Sequence, residues 1–276
     1  MNNNLCIVIP VHSPTPTKEE VISLKQCQKI LSTYPTFLLF PEGMKTSEYT
    51  KHHASIILMP VSKNWLKSVE AYNKMKCSVE FYRLFSQYNF MMTYELDSYI
   101  FNNNWEEAHV FKYDYIGAPW FYKENLNEAR VGNSGFSIRN IQRCIAVLNT
   151  AKRVKNIWNI FSRLQLHRIL RLTIFLRVFN PLWNIKGKNV HFFKLFTDDH
   201  VNEDIFWCHA VSELFHFELA TINDAIKFSF ELRPRELYKL NNNQLPIGCH
   251  AWLKTDHPFW STFIKEEEII NTGIVN

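Results

Sequence analysis

Two carboxylates one residue apart, Glu95 and Asp97, close an apolar and aromatic run that opens with Asn89-Phe-Met-Met-Thr-Tyr94. In an extended backbone residues i and i+2 point to the same face, so both acids can reach one point at a strand end. Open α/β sheets bind their ligands at the carboxyl ends of their strands. Two oxygen donors there suit Mg²⁺ or Mn²⁺, and the cation can in turn hold a diphosphate. The same spacing also suits a pair of solvated acids, so the rest of the chain has to decide.

Three further groups offer chemistry. His250, between Cys249 and Ala251 in a turn-bounded apolar run, is a ready ligand if folding brings it beside the acids, and otherwise a structural histidine. Asn202-Glu203-Asp204 precedes the aromatic stretch Ile205-Phe-Trp-Cys-His-Ala-Val-Ser-Glu-Leu-Phe215. Asn202 suits a helix N-cap and acids suit a first turn; in the functional alternative one carboxylate is a general base toward a hydroxyl. Gly132-Asn133-Ser134-Gly135 holds two of the seven glycines. Backbone N–H groups there can approach a ligand closely, or the stretch is an ordinary turn. The chain has no Gly-x-Gly-x-x-Gly or P-loop pattern, no Gly-x-Ser-x-Gly elbow and no His-Glu-x-x-His. Nicotinamide, P-loop and those hydrolase chemistries lose support.

The elements that must position these groups alternate. Leu5–Val11 reads as a buried strand, followed by the turn-rich His12-Ser-Pro-Thr-Pro-Thr17. Thr17-Lys-Glu-Glu20 has the form of a capping box before a helix over Val21–Ser32. Thr36–Phe40 and Ile56–Met59 read as strands stopped by Pro41 and Pro60, Asn64–Lys76 and Ser78–Gln87 as helices, and Ile141–Thr150 as another helix. Asp114–Trp120 and Val131–Arg139 supply strand and loop pieces, and Thr197–Phe217 an acidic opening before an aromatic helix. This order predicts a mixed, mostly parallel sheet with helices on both faces. No repeat or linker divides the 276 residues, which predicts one domain carrying a basic helical insertion at 151–194.

Apolar residues make up 46% of the chain and charged ones 21%, a globular balance. Aromatic residues, at 15%, suit a sugar or lipid site or a bulky core. Six scattered cysteines without Cys-x-x-Cys spacing argue for reduced thiols rather than a zinc cluster. No secretory signal pattern opens the chain and no apolar run approaches the ~20 residues of a membrane span, so a cytoplasmic protein is expected.

The order of blocks Ala71-Tyr-Asn-Lys74, Phe81-Tyr-Arg83, Tyr94-Glu-Leu-Asp97, Tyr113-Asp-Tyr-Ile-Gly-Ala-Pro-Trp120, Val131-Gly-Asn-Ser-Gly-Phe-Ser-Ile-Arg139, Asn202-Glu-Asp-Ile-Phe-Trp207 and Gly248-Cys-His-Ala-Trp252 resembles a bacterial family of GT-A-like glycosyltransferases. Its members were long described as proteins of unknown function, and some are similar to galactofuranosyltransferase domains of O-antigen synthesis. The resemblance covers residues 5–150 and 197–260. It implies a GT-A-like fold and sugar transfer, by inversion, from a UDP-linked donor to a glycan hydroxyl in surface polysaccharide synthesis. It sets Glu95-Leu96-Asp97 in the place of the Asp-x-Asp motif, with Asp97 the main metal or diphosphate contact and Glu95 one methylene longer than the family's aspartate. His250 becomes the C-terminal ligand of the metal or diphosphate, and Asp204, or Glu203 beside it, the base. Pro10, Val11, His12 and Lys74 fall near the nucleotide, with Asn133, Ser134 and Gly135 as the glycine-rich contact.

Ten of the 31 Lys and Arg residues fall within 151–194, which holds no Asp or Glu, so the net charge of +5 resides there. Across Asn156–Leu182 apolar residues interleave with arginines at roughly helical spacing. Such a helix suits an anionic membrane surface, where a lipid-linked acceptor would sit, and implies a peripheral position at the inner face of the cytoplasmic membrane. Two alternatives stay open: a non-catalytic carbohydrate-binding protein on a degenerate transferase fold, and a protein that binds nucleic acid through the basic segment. Anionic liposomes should co-sediment the protein and should fail to do so once residues 156–182 are deleted. Equal sedimentation of the deletion variant would remove the membrane role.

Overall fold

The computed structural model describes residues 4–121, 129–161, 174 and 201–264. The first strand, β1 (Leu5–Pro10), is buried along nearly its whole length, as a central strand of a parallel sheet must be. Helix α1 (Lys18–Leu31) follows, and Thr17 and Glu20 close the expected capping box on each other's backbone N–H groups. Strand β2 (Thr36–Pro41), the short helix α2 (Ser47–Thr50) and β3 (Ile57–Val61) come next. Pro60 does not stop β3 but lies within it, opposite Phe40. The strand is the edge of its sheet, where a missing N–H costs no ladder bond.

The helix expected over Asn64–Lys76 is two helices, α3 (Lys63–Leu66) and α4 (Val69–Lys76). Ser68 divides them, because its hydroxyl caps α4 by accepting from Ala71 N–H at 3.1 Å. Ser78 likewise caps α5, which is only Val79–Arg83, so the helix expected to reach Gln87 ends early. Strand β4 (Phe90–Tyr94) then enters the sheet centre. After β5 (Tyr99–Ile100), β6 (Tyr115–Ile116), β7 (Pro119–Trp120) and β8 (Arg130–Val131) comes β9 (Phe136–Asn140), and then α6 (Ile141–Phe161). Ile141, Cys144, Val147 and Leu148 form the buried face of α6 at helical spacing.

The main sheet has the order β3-β2-β1-β4-β9-β6, parallel except for β9, which runs against β4 and β6. The last two strands, β10 (Ser229–Phe230) and β11 (Gly248–Cys249), join β5 in a three-stranded sheet of order β10-β11-β5. Its apolar face is aromatic: Phe230, Trp252, Phe259 and Trp260 are buried together. Much of the aromatic content is therefore core, and Trp207 too is fully buried. All six cysteines are free. Most of the basic insertion lies outside the described residues, and among those described no helix is long and apolar enough to cross a membrane.

The two sheets meet where Gly248 passes the ring of Phe136. A Cβ at 248 would lie 2.2 Å from that ring's Cζ. Gly248→Ala should lower stability in chemical denaturation by about 1–3 kcal/mol, the range for overpacking a core. Phe136→Leu in the same chain should return part of the loss.

Candidate active site

The chain leaves β4 at Tyr94, and Glu95 N–H still bonds to Gly135 O at 2.8 Å, one step beyond the last β4–β9 pair. A tight turn, Ser98 N–H to Glu95 O at 2.9 Å, then sends it into β5. There Tyr99 pairs antiparallel with Cys249, and on the far side Cys249 pairs parallel with Phe230. These two registers set Asp97, His250 and Glu231 side by side, although more than 130 residues separate the first from the others in sequence.

His250 Nε2 lies 3.1 Å from Asp97 Oδ1 and 3.7 Å from Glu95 Oε2. One ligand atom from each of the three falls within 4.8 Å of the others, a spacing that can hold a metal ion. The remaining atoms have partners of their own. Glu95 Oε1 accepts from Tyr72 OH at 2.8 Å and faces Lys76 Nζ at 3.4 Å. Asp97 Oδ2 accepts from Lys254 Nζ at 3.1 Å, and His250 Nδ1 is 2.9 Å from Glu231 Oε1. Gly135 closes the arrangement, since a Cβ there would sit 2.2 Å from His250 Nε2 and 3.0 Å from Glu95 Oε2.

Burial opposes charge on all three side chains, and their mutual contacts overcome it. Burial raises the Glu95 carboxyl, but Lys76 and then His250 bring it far below the usual range. Asp97 is also lowered, burial being outweighed by His250. For His250 burial favours the neutral ring, yet Asp97, Glu231 and Glu95 raise its pKa well above the ordinary value. Although buried, Nε2 has no hydrogen-bond partner of acceptable geometry, even with Asp97 beside it. A nitrogen in that position, with two carboxylate oxygens around it, can take a divalent cation in place of its proton.

A cleft of about 580 Å³ opens in front of Glu95 and Asp97. Pro10, Val11 and His12 line it, together with Tyr49, Lys67 and Lys254. Lys74 does not line it: it pairs with Glu70 at 2.8 Å and lines other surface depressions. One helical turn of α4 instead brings Tyr72 and Lys76 to Glu95. Asn133 Nδ2 reaches His250 Nδ1 at 2.8 Å, and Ser134 Oγ accepts from Lys76 at 2.7 Å.

Glu203 and Asp204, adjacent in sequence, have different surroundings. Glu203 is completely buried, ion-paired with Arg139 and 3.3 Å from Lys76. This corrects its reading as a base, because a carboxylate enclosed between two cations is out of reach of a substrate hydroxyl. Asp204 is less buried and accepts from Ile205 N–H at 2.7 Å. Asn202 precedes the helical stretch 203–214 but makes no side-chain capping bond. That stretch passes through a π-helical segment, Phe206–Val211, an irregularity that often marks a functional region.

Residues 55–250 match the family described as "Protein of unknown function (DUF5672)". The chain belongs to that family. No curated protein matches it in sequence. Among solved structures, an active-site mutant of LgtC is similar over 96% of this chain and 95% of its own, at 10% identity and a TM-score of 0.54. The galactosyltransferase LgtC in complex with donor and acceptor sugar analogs is similar over 97% and 94%, at 9% identity and a TM-score of 0.50. Core-mannan synthase A from Aspergillus fumigatus, in a Mn/GDP form, aligns with 53% of this chain and 63% of its own, at 12% identity. Its TM-score of 0.38 is too low to bear on the fold. The two LgtC structures show that this member of the family has the mixed α/β fold of GT-A glycosyltransferases.

The groups that sequence reasoning missed are Tyr72, Lys76, Glu231 and Lys254. The i, i+4 spacing of Tyr72 and Lys76 shows that they share a helix face, but nothing local shows which face meets Glu95. Asp204 carries a measurable signature. Burial, and then the charge of Glu203, push its carboxyl from 3.8 up to about 6. Between those values the folded state holds more protons than the unfolded one, so this group lowers stability as pH rises through the window. Asp204→Asn should therefore melt above wild type at about pH 8, with the gap closing by about pH 4. A gap independent of pH would mean that Asp204 is not a strained acid.

Proposed function

We propose that this protein is a metal-assisted glycosyltransferase that moves a sugar from a nucleoside-diphosphate donor to a glycan hydroxyl. The observation that carries the reading is the convergence of Glu95 Oε2, Asp97 Oδ1 and His250 Nε2 at the edge of the cleft. The GT-A fold supports it by supplying a scaffold shared with glycosyltransferases. Glu95, Asp97 and His250 would hold the cation, which when bound supplies charge to offset that developing on the departing diphosphate. An imidazole in the set favours Mn²⁺ over the harder Mg²⁺.

The chain's own residues have distinct tasks in this reading. Pro10, Val11 and His12 line the donor cleft, and Lys67 and Lys254 bring positive charge to it. Asp204 accepts the proton of the acceptor hydroxyl as that oxygen bonds to the anomeric carbon. The bond from that carbon to the diphosphate oxygen breaks, and the electron pair leaves with the nucleotide. A carboxyl near 6 is ionised at neutral pH yet basic enough to take the proton. Attack opposite the leaving group inverts the anomeric centre. In the finer reading the donor is UDP-linked, with galactofuranose as its sugar. The acceptor is lipid-linked and is elongated at the cytoplasmic face of the membrane into bacterial surface polysaccharide.

Incubation with UDP-galactofuranose, an acceptor glycan and Mn²⁺ should give glycosidic product, and EDTA should abolish it. Asp97→Ala should lower kcat about 100-fold or more, the scale of losing a charge-stabilising group. Asp204→Asn should remove turnover while the donor, measured by direct binding, keeps a Kd close to wild type. Full turnover in EDTA would separate the site from metal chemistry, and an active Asp204→Asn would move the base elsewhere.

A further inference from the structure

The surroundings of His250 contain a conflict. Glu231 Oε1 lies 2.9 Å from Nδ1, and its other oxygen accepts from the Trp120 indole N–H at 2.8 Å, so the carboxylate is held on both sides. Asn133 Nδ2 approaches the same Nδ1 at 2.8 Å. The orientation of that amide is set by the backbone, since Asn133 Oδ1 accepts from Phe136 N–H at 3.1 Å and leaves the NH₂ group toward the ring. One ring nitrogen therefore faces an acceptor and a donor together.

To ligate a cation the ring must give up a proton, and the neutral imidazole that remains has one N–H. The Glu231 acceptor calls for Nδ1–H, which leaves the lone pair on Nε2. The Asn133 donor calls for a bare Nδ1, which places the proton on Nε2. Only the first form can ligate a cation through Nε2, the nitrogen turned toward Glu95 and Asp97. A charged acceptor forms the stronger bond of the two.

We propose that Glu231 is a positioning residue that selects the Nδ1–H tautomer of His250 against the competing Asn133 amide, and so prepares Nε2 as a ligand for a divalent cation. The inference rests on the metal-site reading above. It also makes Asn133 a place where the choice can be restored. Asn133 has a left-handed φ of 50°, a conformation that Asn and Asp tolerate better than most residues. An aspartate there can still accept from Phe136 N–H while its second oxygen accepts from Nδ1–H.

The test is Mn²⁺ binding to the metal-free protein, read from the electron paramagnetic resonance signal of the free aqua ion and independent of turnover. Glu231→Leu should weaken binding about 10- to 100-fold, the usual effect of removing a group that orients a ligand. Glu231→Asp keeps the charge but withdraws the carboxylate by one methylene, and it should weaken binding in the same direction. Adding Asn133→Asp to Glu231→Leu should restore most of the affinity. Wild-type affinity in Glu231→Leu would overturn the proposal. So would wild-type affinity in Glu231→Asp beside a weakened Glu231→Leu, since charge alone would then be at work. If Glu231→Leu does not fold, Glu231→Asp with and without Asn133→Asp makes the same comparison. Failure of the wild-type protein to bind Mn²⁺ would instead overturn the reading of the metal site itself.

Discussion

A single buried ammonium ties the site together. Lys76 is almost wholly enclosed, and its Nζ lies 3.4 Å from Glu95, 3.3 Å from Glu203 and 2.7 Å from the Ser134 hydroxyl. Nζ also stands 4.7 Å from the centre of the Tyr72 ring, whose hydroxyl donates to Glu95. A charge removed from water costs several kcal/mol unless it is paired and hydrogen-bonded. Lys76 meets that cost with groups from the turn that follows β4, from the 132–135 turn and from the start of the 203–214 helix. Moving either carboxylate would weaken the compensation of that charge.

Arg139 completes the balance. It is fully buried, pairs with Glu203, donates to Tyr82 OH at 2.9 Å and stands over the Tyr115 ring. Glu203 thus lies between two cations, and its negative charge helps to raise its neighbour Asp204. One carboxylate is anchored by cations and the next has its carboxyl pKa raised. Two adjacent acids differ because Glu203 is paired with cations and Asp204 is half-buried beside that negative charge.

The two sheets bring the remaining groups together by register. The parallel β10–β11 pair and the antiparallel β11–β5 pair align Glu231, His250 and Asp97, while the β4–β9 ladder brings Gly135 against Glu95. Missing side chains matter as much as those present. Gly135 leaves room for His250 and Glu95 to face each other, and Gly248 lets the small sheet pack on Phe136.

Much of this was legible in the chain. The buried runs at Leu5 and Phe90, the capping box at Thr17 and the acids at the end of β4 follow from local rules of burial, propensity and alternation, which act within a few residues. The helix ends were less legible: Ser68 caps α4 in the middle of a longer helical pattern, and α5 stops at Arg83, short of Gln87. The pairing of His250 with Asp97, the exchange of Lys74 for Lys76 and the sorting of Glu203 from Asp204 depend on contacts between elements far apart in sequence. Residue type and spacing place a carboxylate on a helix or strand. Whether it meets a cation, a histidine or water is decided by what packs against it, and for Asp97, His250 and Glu203 that was decided by the tertiary structure alone.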